Sequence, residues 1–266
     1  MSEPLAIAVS GAAGRMGQAV VRLAAADPGL RIVGAIDQQG SPALGRDVGD
    51  VAGAGTLGVA ISGDVASALL GAEVLVDFSV VDAVPALARQ AARAKVALVS
   101  GTTGLTPEGN AALDEAAKSV PVLWSPNMSV GVHVLAELVK RAVKALGPGY
   151  DVEIVETHHR HKVDAPSGTA KRLFEAVAEA REARAVHGRE GRPGARFDDE
   201  VAMLALRGGD VIGDHTVHLL GTGERLELTH RATSRDLFAR GALVAAKAIA
   251  GKAARRYTMA DVVPPV

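Results

Sequence analysis

Short apolar runs alternate with stretches of helical period through the first half of the chain. Leu5 to Val9 reads as a buried strand. Residues 15–26 read as a helix, stopped by Asp27-Pro28-Gly29. Arg31 to Ile36 reads as a second strand. Further strands are predicted at 74–78, 96–99 and 121–123, with helices at 82–94 and 107–118. Thr106-Pro107-Glu108 opens the last of these with an N-cap residue and a proline at the first helical position. Strands that alternate with helices predict a parallel sheet covered on both faces.

The pattern changes after Trp124. Residues 129–145 have helical period, with Ser129 as a cap. A strand at 151–157 and a helix at 167–183 follow. Strands at 201–206, 211–219 and 225–232 come next with little helix between them, a meander suited to a mixed or antiparallel sheet. A helix at about 236–250 closes the chain, and 187–199 reads as an exposed loop. The Pro126-Asn127 turn is the candidate domain boundary.

Composition narrows the function classes. At 266 residues the chain makes one large or two ordinary domains. Hydrophobic residues are 48% of it but aromatics only 3%, so Ala, Val and Leu must fill the interior. The net charge of −1 and the lack of a long basic run argue against nucleic acid or a membrane surface as partner. The basic cluster from Arg181 to Arg192 reads as a solvated face or loop. The absence of cysteine excludes disulfides, thiolate nucleophiles and cysteine-held metals. No leader-like segment opens the chain, and no apolar stretch approaches the ~20 residues of a membrane span. A soluble, cytoplasmic protein is expected.

Between the first strand and the first helix lies Gly11-Ala12-Ala13-Gly14-Arg15-Met16-Gly17. Glycines let a backbone approach a pyrophosphate closely, and the helix start offers free amides and a positive dipole end. The spacing is not the standard G-x-G-x-x-G, and a ligand-free βα turn would also use it. Position favours a nucleotide, because strand, turn, helix, strand and then Asp37 occur in order. A carboxylate at 37 can accept hydrogen bonds from ribose hydroxyls. It would repel a 2′-phosphate, and Gln38 brings no cation, which favours NADH; Arg15 keeps NADPH possible. Two further turns, Gly101-Thr102-Thr103-Gly104 and Ser125-Pro126-Asn127-Met128, follow later strands. Ligands of open α/β sheets bind beyond such strand ends.

The run Glu153-Ile-Val-Glu-Thr-His-His-Arg-His-Lys-Val-Asp-Ala-Pro-Ser-Gly-Thr-Ala170 concentrates chemistry. His158 and Lys162 can both give protons or stabilise negative charge. Asp164 can orient one of these cations. Strand alternation would put His158 and Lys162 on one side and His159 and His161 on the other. Ser167 is a candidate N-cap, and the Gly168 and Thr169 amides at that helix start form an anion site. No metal is expected, since the spacing is not H-E-x-x-H and no cysteine can assist.

At these residues the chain resembles the 4-hydroxy-tetrahydrodipicolinate reductases, long called dihydrodipicolinate reductases. The eighteen-residue run carries the match. The G-A-A-G-R-M-G loop, the S-G-T-T-G turn and the S-P-N-M-S-V-G segment agree in the same order. The resemblance implies a Rossmann-like parallel-sheet domain, 1–129 with 241–266. It implies a C-terminal α+β domain at 130–240 whose open mixed sheet builds a homotetramer. It implies reduction of a cyclic imine-type dicarboxylate by NAD(P)H, with domain closure about hinges near 125–130 and 235–241. On this likeness His158 is the acid/base and Lys162 the second proton donor. His159, Ser167, Gly168 and Thr169 bind a substrate carboxylate. Gly11, Ala12, Ala13, Gly14, Arg15, Met16, Asp37, Gly101, Thr102, Thr103, Ser125, Pro126, Asn127 and Met128 bind the dinucleotide. Some members carry an arginine after the acidic residue where this chain has Gln38, which weakens the case for NADPH. The competing readings are another nicotinamide-dependent oxidoreductase, a Rossmann-type NAD(H)-binding regulator without chemistry, and a metal hydrolase.

Overall fold

The computed structural model describes residues 3–264. The residues expected at the extreme ends of the first domain, 1–2 and 265–266, lie outside them.

The chain opens with β1 (Leu5–Ser10), α1 (Arg15–Ala25), β2 (Leu30–Ile36), α2 (Val48–Ala52), β3 (Ile61–Ser62) and α3 (Val65–Ala68). It continues through β4 (Val74–Asp77), α4 (Val84–Ala94), β5 (Ala97–Ser100), α5 (Pro107–Ala116) and β6 (Val122–Trp124). Next come α6 (Val130–Leu146), β7 (Asp151–His158), α7 (Gly168–Ala178), β8 (Arg184–Val186), β9 (Glu200–Arg207), β10 (Gly213–Leu220) and β11 (Arg225–Ala232). The last elements are α8 (Asp236–Ile249), β12 (Arg256–Tyr257) and α9 (Met259–Val262). Two compact units result: residues up to Ser129 with Asp236–Pro264, and Val130–Arg235.

In the first unit seven parallel strands run in the order β12-β6-β5-β4-β1-β2-β3. The order reverses between β1 and β4, the switch point of a doubly wound sheet. Both faces are covered, so the strands are apolar without alternation; β1 is buried from Ala6 to Ser10. Helices α4 and α5 pack on Ala8, Leu75, Leu98 and Val122, and α8 packs with α1 on the alternate residues. The Thr106 hydroxyl caps α5 by accepting from the Gly109 amide, with Pro107 behind it.

In the second unit five strands run in the order β11-β10-β7-β9-β8. The β7–β9 and β8–β9 pairs are parallel, and β7–β10 and β10–β11 are antiparallel. The expected meander is therefore corrected: β7 lies between β9 and β10, and only β10–β11 is a hairpin. Period-two alternation along β7 buries Val152, Ile154, Glu156 and His158 on the face covered by α6 and α7. The opposite face carries Val155, Leu204 and Thr216.

Other expectations also shift. The helix expected to reach 183 ends at Ala178, where Arg181 turns to donate to the Tyr150 carbonyl and Arg184 enters β8. The Arg181–Arg192 stretch is not wholly solvated, because Arg184 and Arg189 pair with Glu200 and Arg189 also reaches Glu153. The chain re-enters the first unit at Asp236 rather than 241, since all of α8 packs there. Short β3, β8 and β12 carry too few residues for a periodic signal. Among the described residues, no helix is long and apolar enough to cross a membrane.

Candidate active site

The glycine turn follows β1 at the switch point, and its compactness explains the residue type. A Cβ on Gly17 would lie 2.1 Å from the Gly11 carbonyl oxygen, and one on Gly11 would lie 2.5 Å from the Phe78 carbonyl oxygen. Gly11 also has φ +70°. Helix α1 has Gly14 as its N-cap residue, with no side-chain cap and no acid in its first turn. The Gly14 amide donates to the Gly11 carbonyl (2.9 Å), and no side chain caps the first helical amides, where the macrodipole favours an anion. Asp37, just past β2, takes hydrogen bonds from the Ala13 amide (2.8 Å) and the Gln38 amide (2.8 Å), one on each oxygen. Each oxygen keeps acceptor capacity for a hydroxyl. This cradle fits a dinucleotide.

The other nucleotide candidates follow parallel strands of the same sheet at its carboxyl edge. Gly101 sits against the Phe78 ring, which a Cβ would meet at 2.2 Å. Thr102 is buried, and its hydroxyl donates to Asp77 (3.0 Å), which also accepts from the Ser100 hydroxyl (2.7 Å) and the Ser79 amide (3.0 Å). Ser125 donates to the Asn127 carbonyl (2.7 Å). Thr103, Arg15 and Pro126 are exposed. Ala12 and Met128 are buried, so their side chains pack the interior and only their backbone is available to a ligand. Met16 and Ala13 are half-buried.

The second cluster is built at the end of β7. His158 is the last strand residue, and the chain then turns, so alternation does not extend to Lys162. His158 is buried, His159 half-buried and His161 exposed. The expected two-sided arrangement of these cations is replaced by a turn: the His159 amide donates to Val211 (2.7 Å) and the Lys162 amide to His159 (3.1 Å). Lys162 Nζ reaches both Asp164 oxygens (2.8 and 3.0 Å). Burial first, and then the Arg235 charge, push the His159 pKa down.

Beneath this turn lies a network that no local sequence pattern announces. Glu156, fully buried, accepts from His158 Nδ1 and from Arg207 on both oxygens (2.8 and 2.9 Å). It also accepts from the Ser167 amide (3.1 Å). Burial opposes its charge, but Arg207 and His158 outweigh that and hold the carboxyl below the usual glutamate value. Ser167 caps α7 by accepting from the Ala170 amide (3.1 Å), and its hydroxyl meets His215 Nε2 (3.0 Å). His215 stacks edge-on against His158 with ring centroids 5.1 Å apart. Gly168 opens the helix beside exposed backbone, where a Cβ would meet nothing within 4 Å.

Donor atoms of Glu156, His158 and His215 lie within 4.8 Å of one another. Arg207 occupies both oxygens of that carboxylate, and its charge opposes a cation, so the donor set does not fit a resident metal. Sequence could have hinted at Glu156 through its i, i+2 spacing to His158 on a strand; nothing local pointed to Arg207 or His215.

A glycine turn at the switch point of a doubly wound sheet, in a chain whose second sheet holds an imidazole on a buried carboxylate, defines a class: a dinucleotide-dependent oxidoreductase. Residues 5–128 match the family description "Dihydrodipicolinate reductase, N-terminus", and residues 131–263 match "Dihydrodipicolinate reductase, C-terminus". A 4-hydroxy-tetrahydrodipicolinate reductase of Anaeromyxobacter dehalogenans is 54% identical over 96% of each chain. One from Syntrophotalea carbinolica is 47% identical over 96% of this chain and 97% of its own. The fold is shared with a dipicolinate-bound dihydrodipicolinate reductase from Paenisporosarcina sp. TG-14, at TM-score 0.78 and 23% identity, over 96% of this chain and 97% of that one. The chain belongs to the dihydrodipicolinate reductase family, and it is an NAD(P)H-dependent reductase of diaminopimelate and lysine biosynthesis.

Proposed function

We propose that the chain reduces 4-hydroxy-tetrahydrodipicolinate to tetrahydrodipicolinate. The observation that carries this reading is the 54% identity to a reductase of that name over 96% of both chains. In net terms the substrate gains a hydride and a proton and loses its 4-hydroxyl as water. Bound NADH or NADPH supplies the hydride. A hydride adding to an electron-poor ring carbon builds negative charge elsewhere, which cations and amides stabilise. His158 delivers the proton from Nε2, because Nδ1 is held by Glu156. Lys162 acts as second proton donor and, with His159 and the Ser167-Gly168-Thr169 turn, holds a substrate carboxylate. The turns at 11–16, 101–103 and 125–128, with Asp37, hold the dinucleotide. Asp37-Gln38 supports NADH over NADPH, and the exposed Arg15 at the start of α1 leaves the second usable. The partly apolar second face of the five-stranded sheet supports a homotetramer. Dependence on reduced nicotinamide supports a cytoplasmic location.

The test couples purified protein to enzymatically generated substrate and follows the loss of reduced-nicotinamide absorbance. Turnover with NADH at higher kcat/KM than with NADPH is expected. No turnover with either cofactor would reject the reaction, and an NADPH preference would reject the cofactor assignment alone. His158→Gln should lower kcat by about 10²-fold or more without weakening NADH binding. Lys162→Ala should lower kcat and raise the substrate KM together. Near-normal kinetics in both variants would remove the assigned roles.

A further inference from the structure

Three parts of the candidate substrate site converge on the ion pair between the buried Glu156 and the half-buried Arg207. Glu156 Oε2 accepts from His158 Nδ1, while Oε1 accepts from the Ser167 amide at the head of the anion-binding turn. Arg207 forks onto both oxygens and, through Nη2, also donates to the Asp164 carbonyl (2.8 Å). Asp164 in turn holds the Lys162 ammonium with its carboxylate. The proton donor, the carboxylate-binding turn and the lysine loop therefore hang from Glu156 and Arg207. The pairing is possible because His158 and Arg207 are register partners on parallel β7 and β9, with Glu156 two residues back on the same face.

The Glu156 carboxylate is fully satisfied. A glutamate has about four acceptor sites, and four donor contacts reach it. A fully buried charge of this kind is tolerated only when paired and hydrogen-bonded throughout. A simple packing role would be met as well by an apolar side chain. A carboxylate is needed if the imidazole must keep a proton on Nδ1 and expose Nε2 for transfer. Nε2 does face the small residue Gly213, where a Cβ would come within 2.9 Å.

We propose that Glu156 and Arg207 are positioning residues for the reduction: Glu156 sets the tautomer and direction of His158 and anchors the Ser167 turn, and Arg207 ties the Lys162 loop to the same point. This rests on the reading of His158 as proton donor. Nothing in it requires either residue to touch substrate.

Three measurements test it. Nitrogen-15 NMR of histidine-labelled wild-type protein, with His158 assigned by its loss in His158→Gln, should show Nδ1 protonated throughout and Nε2 as the nitrogen that takes up and gives off the titrating proton, so that the imidazolium donates from Nε2 and the neutral ring is left with its proton on Nδ1. A proton on Nε2 with Nδ1 bare would overturn the proposal without any further variant. Glu156→Gln, equal in size but uncharged, should lower kcat by about 10²-fold and mix the His158 tautomers, with NADH affinity unchanged. Arg207→Lys keeps the charge but loses the fork, and should lower kcat and raise substrate KM while the NADH affinity again holds. Circular dichroism would establish that each variant is folded, and the wild-type spectrum decides the matter should Glu156→Gln fail to fold. Wild-type kcat and an unmoved tautomer in Glu156→Gln, alongside an inactive His158→Gln, would overturn the positioning role alone. An active His158→Gln would instead remove the proton-donor reading and the proposal with it.

Discussion

His215 is 3% exposed, and burial foremost, then the neighbouring His158, press its pKa from 6.5 to about 4. The neutral ring is thus the folded form, while the unfolded chain takes a proton below pH 6.5. Stability contributed by this group is present above pH 6.5 and declines as pH falls toward about 4. Between pH 7 and pH 5 the decline is about 2 kcal/mol. His215→Asn should remove most of that slope, whatever it does to stability at pH 7. Urea unfolding at the two pH values checks this, and an unchanged slope would refute it. Gly213 packs against the same pair of histidines. Its missing Cβ leaves the Nε2 edge of His158 clear, and the ring cannot retreat because Glu156 holds Nδ1. Gly213→Ala should lower kcat by about 10-fold to 10²-fold with NADH affinity intact, as separate titration and turnover measurements would reveal. Residue types alone flagged His158, Lys162 and the Ser167 cap, because adjacent polar groups in an apolar strand context stand out. Glu156 looked like any other strand acid. Its significance arises from Arg207 on another strand, fifty-one positions later.

Elements were legible where they are long. The burial pattern of β7 and the caps of α5 and α7 follow from neighbours in sequence. Strand order was not, because β7 enters between β9 and β10 to bury its Val152 and Ile154 face under α6 and α7. Helix α8 shows how an element is docked by one residue. A Cβ on Gly241 would stand 1.6 Å from the Met128 carbonyl oxygen, a backbone atom that cannot rotate away. Gly241→Ala would gain up to about 1 kcal/mol of helix propensity. Displacing the helix costs about 1–3 kcal/mol, so packing wins and the variant should melt at a lower temperature. Thermal denaturation followed by circular dichroism is the check; an equal or higher melting temperature would show that α8 does not approach so closely.

The second face of the five-stranded sheet bears on how copies of the chain assemble. Leu206 and Leu220 are 51% and 36% exposed, beside half-buried Val155 and Leu204. Sedimentation should report a tetramer, and the double change Leu204→Glu with Leu206→Glu should yield smaller species. A monomeric wild type would reject the assembly. Local sequence was enough for the α/β order, the alternation of elements and the residue types at the glycine turn and the histidine run. Those depend on contacts within a few positions, where periodicity and turn chemistry act directly. Folding in three dimensions was required to make β7 central, to return α8 to the first unit from Asp236, and to bring Glu156, Arg207 and His215 together beneath His158. Strand register brings together residues far apart in the chain, and their pairing is settled by which faces must be buried.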